Sequence, residues 1–317
     1  MIPNSAHIDR ACGAVLGSAV GDALGAGYEF GSARVGADGP QMIGGGLGGF
    51  ARGEWTDDTT MAWCILDVAA TGQDLRSEAA LTAIGRNFRT WQESGPADIG
   101  IQTSQILGRV GTDPTADVLT AAAEKLHRQT GRTAGNGSLM RTAAVALPFL
   151  DDPGAVVEAA RRISALTHYD PRAQEACVLW SLAIRRAVID GDLDLRDGLR
   201  YLDDEAVVYW TERIDEAETS EPGRFNPNGW VVSALQAAWS SIVHSDGFGH
   251  TLDTAIGIGD DTDTVAAIAG ALVGAKWGSS KIPARWLRIL HGYPGKRAED
   301  LAHAAELAVN RGPKTVV

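Results

Sequence analysis

Four glycines recur at every fourth position of one apolar segment: Gly13, Gly17, Gly21 and Gly25, within residues 8–25. On a helix that spacing lines them along one side, as a smooth ridge where a second helix backbone can come close. Glycine weakens a helix, so four on one face imply a packing or functional need that compensates. A membrane ridge does not fit, because Asp22 interrupts an already short apolar run.

Helical periodicity continues through the rest of the chain. Residues 57–71, 76–92, 99–110, 115–130, 136–149, 153–166 and 171–190 read as helices. So do 195–202, 205–217, 230–244, 252–258, 262–277, 283–290 and 298–309. Pro153 and Pro171 open two of them at a favoured first position. No stretch alternates like a strand between hairpin signals. The expectation is an all-α fold, a single compact multi-helix orthogonal domain over residues 1–311 with 312–317 as a frayed tail. At 317 residues and 44% apolar the chain can bury a large core, and no Pro/Ser-rich linker divides it.

A net charge of −12 argues against general affinity for nucleic-acid backbones or anionic membranes. It leaves room for an anionic ligand in a metal-neutralised pocket. No apolar run reaches the ~18–20 residues of a membrane-spanning helix, and no secretory signal is visible. Cys12, Cys64 and Cys177 lie far apart within apolar stretches, as core residues of a reducing compartment do. A cytoplasmic monomer is expected.

Two acid runs carry the chemistry: Thr56-Asp57-Asp58-Thr59 and Asp260-Asp261-Thr262-Asp263-Thr264. Neither contains a lysine or arginine, and each leads into an apolar helical segment. Adjacent carboxylates repel unless something positive lies between them, and hard divalent cations prefer oxygen ligands. Helix capping is the alternative, since Thr and Asp suit N-caps and first turns. Capping accounts for one such residue per helix rather than two or three acids.

Other segments surround these runs. Asp22, on the glycine ridge, is either a buried hydrogen-bond hub or part of the site, and Glu29 lies just beyond the helix. The glycine-rich loop 31–55 leads directly into Thr56 and is expected to be a mobile wall or lid. Gly135-Asn136-Gly137-Ser138 frees backbone N–H groups before a helix, which suits phosphate. His168 sits in a polar joint between two helices. With no second histidine nearby and no cysteine cluster, nothing supports a zinc site. Nor is there a Gly-x-Ser-x-Gly elbow.

Taken together, the chain resembles the ADP-ribosylglycohydrolase family, the ADP-ribosyl-acceptor hydrolases. The resemblance rests on Gly21-Asp22-Ala23-Leu24-Gly25 with Glu29, on 53–59 (Gly-Glu-Trp-Thr-Asp-Asp-Thr), and on 135–141 (Gly-Asn-Gly-Ser-Leu-Met-Arg). It also rests on Thr167-His168-Tyr169-Asp170-Pro171 and on Gly259-Asp260-Asp261-Thr262-Asp263-Thr264. Five motifs in the family's order are far more specific than any one alone.

The resemblance implies an all-helical domain with a binuclear metal cleft holding two Mg2+ (or Mn2+). It implies Thr56, Asp57, Asp58, Asp261, Asp263 and Thr264 as metal ligands. It further implies Gly135, Asn136, Gly137, Ser138 and His168 as substrate-binding residues, and Glu29, Asp57, Asp58, Asp98 and Asp261 as catalytic ones. Asp98 matches the acid near the leaving group of arginine-type members. The expected activity is metal-dependent hydrolysis of the glycosidic bond between ADP-ribose and an acceptor, with ADP-ribose as product. A two-metal nucleotide phosphohydrolase and a non-catalytic ADP-ribose-binding relative are the alternatives.

Overall fold

The computed structural model describes residues 3–313. The α-helices are α1 (Ser5–Gly25), α2 (Asp57–Ala70), α3 (Glu78–Glu93), α4 (Ile101–Leu107), α5 (Ala116–Thr130), α6 (Pro153–Ala165) and α7 (Pro171–Asp190). They continue as α8 (Asp204–Thr219), α9 (Val231–Val243), α10 (Phe248–Gly257), α11 (Thr262–Trp277), α12 (Ala284–Leu287) and α13 (Ala298–Arg311). A two-residue hairpin, β1 (His291–Gly292) with β2 (Lys296–Arg297), is the one sheet among the described residues. None of the described helices is long and apolar enough to cross a membrane.

The partner that the glycine ridge requires is α11. A methyl group at Gly13 would strike the carbonyl of Gly274, one at Gly17 that of Gly270, and one at Gly21 that of Ala266. The pairing numbers run in opposite directions, so the helices are antiparallel. α11 reciprocates with its own glycines, Gly270 against Gly17 and Gly274 against Gly13. Both helices are buried nearly all round, and α7, α9, α10 and α13 pack around the pair. Such burial on every side explains why neither helix has a polar face.

Several boundaries differ from the sequence expectation. Residues 136–149 form not a continuous helix but three 3-10 turns, Asn136–Ser138, Thr142–Ala144 and Leu147–Phe149. Pro148 has no N–H to give a helix interior, and the segment is buried from Ser138 onward, so no amphipathic face steadies it. The expected helix at 195–202 is likewise a 3-10 segment, Arg196–Tyr201. Of the tail, Gly312 packs against Pro148, and residues 314–317 lie outside the described residues.

The loop expected to be mobile is tied down at several points. The Tyr28 hydroxyl donates to the Gln41 carbonyl and accepts from the Gln41 N–H. Gly46 lies against Ala26, and Gly53 against Ile289. The C-terminal hairpin braces the far end, with the Trp55 N–H donating to the His291 carbonyl at 3.0 Å.

Candidate active site

Antiparallel contact places the C-terminus of α1 beside the N-terminus of α11, which brings Asp22 and Glu29 to the second acid run. Asp22 then recruits the first run. Its carboxylate accepts from the N–H of Thr56 (2.9 Å), the N–H of Thr59 (3.0 Å) and the hydroxyl of Thr59 (2.6 Å). Asp22 is therefore a buried hub that holds the start of α2 in place.

Capping does not account for the acids. Thr56 and Asp261 occupy the N-cap positions of α2 and α11, and neither makes a side-chain capping bond. Elsewhere the chain does cap in this way, with Ser77, Thr115, Asp152, Asp170 and Asp203. The Thr56 hydroxyl instead donates to Asp58 of its own run at 3.0 Å and lies 3.4 Å from Asp263 across the gap between the runs. Asp22, Asp58 and Asp263 place carboxylate oxygens within 4.8 Å of one another, and so do Glu29, Asp261 and Asp263. Asp263 is common to both groups.

These carboxylates lack compensation. No lysine or arginine among the described residues pairs with them, and Glu29 Oε2 and Asp58 Oδ1 are buried without a hydrogen-bond partner. Burial, then the neighbouring Asp98 and Asp261, pushes Glu29 up to about 8. Burial and Asp98 likewise push Asp57 up to about 7. Asp58 and Asp263 are raised well above the usual carboxylate range, again by burial first and then by neighbouring aspartates. A site that penalises its own ionised form, with free oxygens turned inward, has the donor set of a divalent-cation site.

The acids form one part of the wall of a cavity of about 710 Å3, to which Glu29, Asp57, Asp98, Asp261, Asp263 and Thr264 all contribute. That volume suits a nucleotide-sized ligand. Gly135, Asn136, Gly137 and His168 also line it. Asn136 joins the two regions, its amide donating to Asp261 at 2.8 Å and to the Asn228 carbonyl at 3.2 Å. Ser138 departs from the expected arrangement. Its hydroxyl is turned into the core, accepting from Ser164 at 2.9 Å and from the Cys177 thiol at 3.4 Å. Thr56 and Asp58 do not line this cavity, although Thr56 lines a smaller recess beside it, and Asp57 accepts from the Gly100 N–H at 3.2 Å.

The family model described as ADP-ribosylglycohydrolase matches residues 3–314. The chain belongs to the ADP-ribosylglycohydrolase family. The ADP-ribosylarginine hydrolase Tri1 of Pseudomonas putida (strain GB-1) is 31% identical, over 88% of this chain and 74% of its own. The ADP-ribosyl-[dinitrogen reductase] glycohydrolase of Rhodospirillum rubrum is 30% identical, over 88% and 89% respectively. A solved structure of an "ADP-ribosylglycohydrolase-related protein complex" superposes with a TM-score of 0.69 at 26% identity, covering 98% of this chain and 100% of that one.

In this ADP-ribosylglycohydrolase fold, three further residues matter that the motifs did not single out. Asn228 pins the second acid run: its side-chain oxygen accepts from the Asp261 N–H at 3.0 Å, and its own N–H donates to Asp260 at 3.2 Å. Arg132 is the one lysine or arginine among the described cavity-lining residues. Phe30, at φ 46°, donates its N–H to the Asp260 carbonyl at 2.7 Å, tying the Glu29 segment to the same run. The signal available for Asn228 was its place in a turn-rich segment, Pro227-Asn228-Gly229. For Arg132 it was a cation set just before Gly135.

Proposed function

We propose that this chain hydrolyses the glycosidic bond between ADP-ribose and an acceptor, releasing ADP-ribose. One observation carries the reading: the inward-facing acids and the Gly135–Gly137 turn share the wall of a single nucleotide-sized cavity. In this reading Gly135, Asn136 and Gly137 present backbone donors to the diphosphate, and Arg132 balances its charge. Ser138 supports that turn from within the core.

Thr56, Asp57, Asp58, Asp261, Asp263 and Thr264 would hold two divalent cations, magnesium or manganese, with Glu29 at their edge. Bound there, the cations would neutralise the carboxylates, orient the ribose hydroxyls and make a water more acidic. The remaining steps belong to side chains of this chain. Asp57 and Asp261, on the cavity wall, would keep net negative charge beside the sugar ring and favour the positive charge that grows on it as the bond breaks, with Asp58 acting from behind them. Glu29, whose buried Oε2 is free of partners, would take the proton of the attacking water.

For the acceptor, we take an arginine side chain as the first reading. Asp57 and Asp98 also line an adjoining recess of about 220 Å3, walled by Phe50, Trp91 and Tyr293. Carboxylates beside aromatic rings suit a guanidinium, and the name of the P. putida relative specifies arginine. We take the working unit to be a cytoplasmic monomer; three buried free thiols suit a reducing compartment, and sedimentation velocity tests the monomer.

The deciding experiment offers ADP-ribosylated arginine, serine and nucleic-acid acceptors with and without magnesium, and measures ADP-ribose. Release from arginine that stops with a chelator is expected. Phosphate as the product, or no release from any acceptor, would remove the reading.

A further inference from the structure

Behind the Gly135–Gly137 turn sits a charged group that the acid chemistry does not use. Arg141 is 0% exposed. Its guanidinium lies 4.7 Å from the centre of the Phe88 ring. Nη2 donates to the Ile163 carbonyl at 3.0 Å and to Thr167 Oγ1 at 2.9 Å. No carboxylate among the described residues forms an ion pair with it. Thr167 Oγ1 in turn lies 2.8 Å from His168 Nδ1. The opposite edge of that ring, Nε2 and Cε1, faces Gly135 and Gly137 on the cavity wall.

Counting donors fixes the direction of this chain of bonds. A guanidinium can only donate, so Thr167 Oγ1 accepts from Arg141. The hydroxyl has one hydrogen, and His168 Nδ1 is the acceptor beside it. Donation to Nδ1 satisfies all three groups. A proton on Nδ1 would instead leave the buried hydroxyl hydrogen without an acceptor. We infer that Arg141 and Thr167 are positioning residues that hold His168 as the neutral tautomer protonated on Nε2, so that it presents an N–H donor to the ligand at the Gly135–Gly137 turn.

That ligand is ADP-ribose on the reading above; the tautomer does not depend on it. Burial and the Arg141 guanidinium both disfavour an imidazolium, which holds His168 well below its ordinary range. Neutral bonds fix the backbone beneath the ring: the Gln102 amide donates to the Thr167 carbonyl at 2.9 Å, and the His168 N–H donates to the Ser164 carbonyl at 2.8 Å. His168 thus holds ligand oxygen by donation and does not exchange protons with it.

Nitrogen-resolved NMR of the histidine rings in the full chain tests the assignment. At neutral pH the His168 ring is expected to be protonated on Nε2 and bare on Nδ1. Thr167→Val keeps the shape but removes the hydroxyl. It should shift the ring toward a mixture of tautomers and weaken ADP-ribose binding roughly ten-fold, the value of one well-placed hydrogen bond. Thr167→Ser should restore both. A wild-type ring protonated on Nδ1, or on both nitrogens, overturns the inference. So does Thr167→Val with the wild-type ring spectrum and affinity. If Thr167→Val does not fold, the wild-type spectrum and Thr167→Ser decide. If the ring is as expected but ADP-ribose does not bind, the functional reading fails and the relay stands.

Discussion

Gly17 and Gly270 meet backbone to backbone, so that a methyl group on either would run into the carbonyl oxygen of the other. They lie about one to two helical turns from Asp22 and Asp263, and the contact sets the depth at which α1 lies against α11, and with it the spacing of Asp22, Glu29 and Asp263.

Gly17→Ala or Gly270→Ala should therefore do more than destabilise. Overpacking a core costs about 1–3 kcal/mol, and here the obstacle is backbone, which yields less than a side chain. The melting temperature should fall, and magnesium affinity measured by calorimetry should fall with it. Unchanged affinity in a folded Gly17→Ala protein would detach the ridge from the site.

Asp263 belongs to both carboxylate groups, so Asp263→Asn should affect both at once. Calorimetric titration should show magnesium binding abolished. Asp58→Ala should remove much of it. Asp57→Asn should lower turnover at least ~100-fold, the order seen when preorganised charge is taken from a site. Wild-type turnover by folded Asp57→Asn would defeat the mechanism.

The metal-free protein should lose stability as pH rises. Burial, against hydrogen bonds from Thr59 and Thr56, holds Asp22 at about 6, and burial with repulsion from neighbouring aspartates holds Asp57 at about 7 and Glu29 at about 8 in the folded state. The same groups sit near ~3.9–4.3 in an unfolded chain. Between those limits the folded form binds more protons, so their contribution is complete below about pH 4 and gone above about pH 8. Melting in chelator should drop from pH 5 to pH 8, and magnesium should flatten the slope. A melting temperature that climbs over this range without metal would contradict the account.

On the arginine reading, Asp98 serves the acceptor and not the sugar. Asp98→Asn should slow release from ADP-ribosylated arginine by roughly ten-fold or more, while free ADP-ribose still binds within about two-fold. Equal losses for arginine and serine acceptors would show that the recess does not read a guanidinium.

The sequence made some of this legible. Consecutive carboxylates without a cation have few ways to be stable, so both acid runs could be located and joined. Glycines at every fourth residue likewise required a partner backbone, although which helix supplied it could not be read. What stayed hidden was local rotation. Ser138 follows Gly137 directly, and in a 3-10 turn that single step carries its hydroxyl from the cavity wall to Ser164 and Cys177. The 136–149 stretch misled because burial on all sides erases the periodicity that separates an α-helix from tight turns. Residues 291–297 form a hairpin too short for alternation to register.

The α1–α11 contact also dictates when the protein can exist at all. The two helices are about 250 residues apart in the chain, and the hairpin that steadies Trp55 follows later still. On the ribosome, therefore, α1 emerges as a weak, glycine-scarred helix with nothing to pair with until most of the chain has been made. Pairings this distant are slow to close and leave apolar surface waiting. The acids cannot be gathered earlier, so a ligand that needs both runs meets its site only when synthesis is nearly complete.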